Sequence, residues 1–196
     1  MSQHHVLIVP GLNGSGPDHW QSAWEDERID CARIQQSNWE EPDPLLWMCK
    51  IDAAIAAQAG PIVIVAHSLG CLAVAAWATL ARLDPARGIA AMLVAPCDPR
   101  QESACDRIRR FGLIAQSRLP IPSVLVASAD DPYATFSRSS SFAAQWGSRL
   151  VDAGEVGHIN AKSNLGSWQW GQTILDHLIA SVNPPVRSLD RLTLFA

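Results

Sequence analysis

The sequence predicts an α/β fold: a mostly parallel sheet with helices on both faces. Two observations carry this. Strand-like and helix-like runs alternate along the chain, the order a parallel sheet with crossover helices requires. The strand-like runs are apolar nearly throughout rather than at every second residue, as strands covered on both faces are. With 196 residues, 48 % of them apolar and 17 % charged, there is matter for one real core and little room for a second domain. One domain is therefore expected over residues 1–196, with no element assigned after about residue 184.

The elements follow in order. Residues 6–10 form the first strand, ended by Pro10-Gly11. A glycine-rich loop, residues 11–17, leads to a helix over about 18–27, with Asp18 as its N-cap. Residues 31–35 make a short, weaker strand. Pro44 opens a helix over about 44–59, stopped by Gly60-Pro61. Residues 62–66 are the most strand-like run, and 69–83 an alanine-rich helix. Further strands are expected at 89–95, 122–127 and 149–151, and helices at about 137–146 and 168–181. Residues 96–121 are the least regular stretch and the only place for a small lid.

Charge and cysteine content exclude several classes. Fifteen basic against 19 acidic residues give a net charge of −4, and no cluster of Lys or Arg stands out. That speaks against nucleic-acid and anionic-membrane partners. No apolar run approaches the roughly 18–20 residues that cross a bilayer. The first residues lack the pattern of a signal peptide, so the chain is expected to be cytoplasmic. Five cysteines without a C-x-x-C pair predict reduced, mostly buried thiols rather than a disulfide framework or zinc site. No spacing suggests a metal, and no cofactor is expected.

The chemistry concentrates at Ala66-His67-Ser68-Leu69-Gly70, between a buried strand and a helix. This is a nucleophile elbow, G-x-S-x-G, with Ala66 in the first glycine position. The turn holds Ser68 in a strained backbone conformation, so the residues two before and two after must be small. It also aims the hydroxyl at the start of the helix, where the Leu69 amide can donate to a developing oxyanion. A serine needs a base, itself oriented by an acid, and in such folds the order is Ser, Asp or Glu, His. Asp130 and Asp131 follow one strand, and His158 sits in a glycine-rich loop after another. Both loops lie past C-terminal strand ends, where ligands bind in open α/β sheets. Of six histidines, only His158 has that position; His19 could line a pocket, and His67 is expected to pack. From the residues alone, Asp130 and Asp131 remain rivals. Trp20, just past the first loop, is a candidate wall of an acyl pocket. The loop at residues 11–16 matches neither G-x-x-x-x-G-K-[ST] nor G-x-G-x-x-G, which disfavours a nucleotide site.

Taken together, Pro10-Gly11-Leu12-Asn13-Gly14-Ser15-Gly16-Pro17-Asp18-His19-Trp20, Ala66-His67-Ser68-Leu69-Gly70, Asp130-Asp131-Pro132-Tyr133 and Gly157-His158-Ile159-Asn160 resemble the small serine hydrolases of the α/β-hydrolase fold. The likeness is narrower still to the lidless group of retinoblastoma-binding and YdeN-like hydrolases, and runs over nearly the whole chain. It implies a compact α/β-hydrolase fold without a large cap domain. It implies Asp131 as the catalytic acid, leaving Asp130 to orient the loop. It implies the Leu12 backbone N–H as the second oxyanion donor beside Leu69, with Asn13 a weaker candidate.

The expected function is therefore hydrolysis of small acyl esters, with Ser68 as nucleophile, His158 as base and Asp131 as its orienting acid, and Asn13 and Trp20 touching the substrate. The rival is a non-catalytic interaction module on the same fold. The resembled group includes a member named for binding a partner protein, but the Leu-x-Cys-x-Glu stretch associated with that binding is absent here.

Overall fold

The computed structural model describes residues 4–112 and 117–182. Residues 113–116 of the irregular stretch, and the tail from 183 on, lie outside the described residues. The sheet has six strands: β1 (His5–Val9), β2 (Cys31–Arg33), β3 (Ile62–His67), β4 (Ile89–Val94), β5 (Ser123–Ala127) and β6 (Arg149–Asp152). Their spatial order is β2-β1-β3-β4-β5-β6, and every pair is parallel. The helices are α1 (Trp20–Glu27), α2 (Pro44–Ala56), α3 (Leu69–Leu80), α4 (Asp106–Arg109), α5 (Phe136–Trp146) and α6 (Gln169–Val182).

The unbroken apolar strands have a direct cause. In β1, Leu7 and Val9 enter the core shared with α2, α3 and α5, while Val6 and Ile8 enter the one shared with α1 and α6. β3 divides in the same way, Ile62, Ile64 and Ala66 against Val63 and Val65. Each such buried Val or Ile contributes about 1.5–3 kcal/mol. Tryptophan fills the larger gaps: Trp20, Trp24 and Trp168 cluster on one face, and Trp47 and Trp146 are buried on the other. No described helix is long and apolar enough to cross a membrane.

Three helix ends differ from expectation, α2 stopping at Ala56 rather than about 59. α1 begins at Trp20, and its cap is His19 rather than Asp18: the His19 Nδ1 accepts from the Gln21 amide at 3.1 Å. α3 stops at Leu80, because the chain turns extended at Ala81 before Asp84-Pro85 opens a 3₁₀ turn.

The strand order decides where chemistry can occur. From β1 the chain runs outward to β2, then returns to β3 on the other side of β1. The C-terminal ends of β1 and β3 thus flank the point where winding reverses, and a crevice opens there. The 11–16 loop leaves β1 at this point, and Ser68 leaves β3.

Candidate active site

Ser68 sits between β3 and α3 with φ 54° and ψ −121°, a conformation that L side chains rarely adopt. Such strain costs on the order of 1–3 kcal/mol and persists only where the surroundings impose it. Here they do. The Ser68 N–H donates to the Val94 carbonyl at 3.0 Å, tying the turn to β4. A Cβ on Gly70 would lie 2.6 Å from the Pro10 carbonyl oxygen and also strike that of Val9, so α3 can start this close to β1 only with glycine. A Cβ on Gly11 would lie 2.9 Å from Ser68 Cβ and 3.3 Å from the Leu69 nitrogen. The small-residue requirement thus falls on Gly70 and Gly11, while the Ala66 methyl is absorbed in the core.

The loops after β5 and β6 bring an acid and a base to the same place. His158 Nε2 lies 2.9 Å from Ser68 Oγ, and its Nδ1 lies 2.9 Å from both oxygens of Asp131. A carboxylate only accepts, so Nδ1 carries the hydrogen and Nε2 is left to accept from the serine hydroxyl. The His158 and Asp131 side chains are almost wholly shielded from solvent. The Tyr133 amide donates to Asp131 Oδ1 at 2.9 Å, and the Tyr133 ring stands edge-on to the His158 imidazole at 4.5 Å between centroids. Asp130 faces elsewhere. Its Oδ1 accepts from the Ser128 hydroxyl and the Gly157 amide, both at 2.7 Å, which binds the two loops together. Those two bonds hold the Asp130 carboxyl below its ordinary value.

A cavity of about 330 Å³ opens over Ser68, with Leu12, Asn13, Cys97, Ile108, Tyr133 and Lys162 among its lining. Among the described residues, neither the Leu12 nor the Leu69 amide has a hydrogen-bonded protein partner. The Asn13 amide is engaged, donating to the Trp39 carbonyl at 2.8 Å, so its backbone is not available as an oxyanion donor. Trp20 is a correction. It does not line this cavity: it is 1 % exposed, packs against Trp24 and Trp168, and donates its indole N–H to the Ile159 carbonyl at 2.7 Å. The helix starting at Trp20 turns its first side chain into the core that α1 and α6 form with the sheet rather than toward the crevice.

Of the lining residues that were given no role by the sequence, two lie against the triad. Cys97 lines the cavity beside Ser68, and burial pushes its thiol up to about 12, so it stays a neutral neighbour. Tyr133 is the other. Both lie just past the C-terminal ends of strands, the same signal that singles out Asp131. His19 also lines the cavity; burial, with Arg33 and His158 nearby, lowers it to about 4 and keeps it uncharged. His4 pairs with Asp30 and His177 bonds within α6, away from this place. Among the described residues no group of His, Cys, Asp and Glu is arranged to hold a metal ion.

A family model for serine hydrolases matches residues 6–177. The chain belongs to the serine hydrolase family. A structure from Pectobacterium atrosepticum described as a YdeN-like hydrolase is similar to this serine hydrolase at 34 % identity and a TM-score of 0.79, over 92 % of each chain. The ydeN gene product of B. subtilis has a TM-score of 0.73 at 19 % identity, covering 91 % of this chain and 100 % of its own. Est1E of Butyrivibrio proteoclasticus, with ferulic acid bound, has a TM-score of 0.64 at 14 % identity, covering 91 % and 89 %. These last two show the shared α/β-hydrolase fold. Among the described residues no large cap domain interrupts it. No curated protein matches the sequence.

Proposed function

We propose that this serine hydrolase is a carboxylesterase-like enzyme that cleaves small acyl esters through Ser68, His158 and Asp131. The observation that carries the reading is the unbroken hydrogen-bonded line from Asp131 through His158 to Ser68, each link 2.9 Å. In the reaction, Ser68 Oγ attacks the ester carbonyl while His158 Nε2 takes its proton. Asp131 holds the tautomer and stabilises the imidazolium. The Leu12 and Leu69 amides receive the oxyanion; losing one such donor costs about 2.7–4 kcal/mol. His158 then protonates the departing alkoxide, leaving an acyl-Ser68 ester. Water, deprotonated by His158, releases the acid and restores the serine.

A cavity of about 330 Å³, with no cap domain over it among the described residues, suits a short acyl chain better than a long buried one. Five free thiols suit a reducing compartment and support a cytoplasmic setting. The test is labelling by a fluorophosphonate probe, followed by a series of p-nitrophenyl esters of increasing chain length. The wild-type chain is expected to label and to prefer the short esters. Ser68→Ala should lose the label and roughly 10⁶-fold in kcat while keeping its melting temperature. Turnover undiminished in Ser68→Ala would overturn the assignment, and a wild-type chain that never labels would favour a non-catalytic module.

A further inference from the structure

His158 must be held where it is by something other than its own strand. β6 is a four-residue edge strand with no fully buried residue, and His158 lies beyond it in a glycine-containing loop. Besides the bond from the Gly157 amide to Asp130, two contacts reach that loop from β3 and α1. His67, the last residue of β3, is 5 % exposed, and its Nε2 lies 2.9 Å from the main-chain oxygen of His158. A carbonyl oxygen only accepts, so Nε2 is the donor. The next carbonyl, that of Ile159, accepts the Trp20 indole N–H at 2.7 Å. Between these bonds the backbone passes through φ 47° at Ile159, a left-handed conformation that a β-branched residue resists. Two buried N–H donors thus hold two successive carbonyls of a strained turn.

The imidazole is suited to that task. Burial pushes His67 well below its ordinary value, so it stays a neutral donor. The titratable groups facing it are His158 and His19, with ring centroids 4.9 Å and 4.7 Å away.

We propose that His67 is a positioning residue for the catalytic base: its Nε2–H, together with the Trp20 indole, fixes the His158–Ile159 turn and so the distance from His158 to Ser68. The inference rests on the triad reading above. One strand end then serves both partners, since β3 carries Ser68 into its turn and, one residue earlier, supplies the tether for its base. The bond lies in a buried setting where little water competes for it. The geometry it protects is demanding, because a displacement of about 1 Å at a reacting group costs about 100-fold in rate.

The experiment compares His67→Phe, which keeps a ring and removes the donor, with His67→Gln, whose amide N–H can replace Nε2–H. Rates are read from fluorophosphonate labelling and from hydrolysis of p-nitrophenyl acetate across pH. His67→Phe should lose about 100-fold in kcat with little change in KM. The rate of fluorophosphonate labelling should fall with it, because a loosened His158 is no longer held in reach of the Ser68 hydroxyl. His67→Gln should recover most of both. Trp20→Phe, which removes only the second tether, should move the same two readouts in the same direction by less, and carries the test if His67→Phe does not fold. A His67→Phe protein that melts earlier but keeps the wild-type kcat and labelling rate overturns the positioning role. A wild-type chain that fails to label overturns the triad reading itself.

Discussion

Two neighbouring carboxylates at the end of β5 show how much direction matters for a single residue. Asp131 meets the His158 imidazole, while Asp130 takes the Ser128 hydroxyl and Gly157 amide. Their chemistry is identical, so the difference lies wholly in where the loop points each one. Asp131→Asn should lower kcat on p-nitrophenyl esters by about 10⁴-fold, because an amide lets the imidazole adopt the wrong tautomer. Asp130→Ala removes the tie between the two loops and leaves the acid in place. Thermal melts should show lost stability, with a far smaller loss of kcat than in Asp131→Asn. Equal losses of kcat would mean that the two carboxylates do not divide the work in this way.

At the level of elements, the elbow is a contact between three of them: the end of β1, the end of β3 and the first turn of α3. Gly70 is where they touch. A methyl there meets main-chain oxygens of Val9 and Pro10, which cannot swing aside as a flexible side chain would. Gly70→Ala should therefore cost about 3 kcal/mol or more in denaturant unfolding, at the upper end of what overpacking does. A near-neutral result would show that α3 can retreat from β1. The cap of α1 adds a second device, since the same His19 ring that caps the start of the helix also lines the cavity.

On the scale of the whole molecule, burying imidazoles beside the site couples folding to pH. His19 titrates near its ordinary 6.5 when unfolded and at about 4 when folded. Below 6.5 the unfolded chain binds a proton that the folded one refuses. Its contribution is fully present above 6.5, is lost as pH falls toward 4, and changes no further below that. The loss is at most about 3 kcal/mol for this shift. His67, also lowered, acts in the same direction. Melting temperature should drop steadily across this window. His19→Asn keeps an oxygen to cap α1 without the titrating ring, and should give a shallower decline; an unchanged slope would remove His19 from the account.

The fold class and the elbow were legible because their causes are local. Strands covered on both faces must be apolar at every position, and a serine at a strained strand-to-helix turn needs small residues around it. These constraints are written in consecutive residues at 6–10, 62–66 and 66–70. The convergence on Ser68 is not local. The loops bearing Asp131 and His158 are set by the order of the strands, by a four-residue edge strand, and by bonds such as His67 to His158, 91 positions apart. Trp20 makes the same point: near the crevice along the chain, it turns into the core in three dimensions. Sequence determines which residues can do chemistry and the kind of layers that carry them. The direction of each side chain, and so which residue meets which, is decided only once the whole chain packs, because burial and hydrogen bonding are satisfied between segments rather than within them.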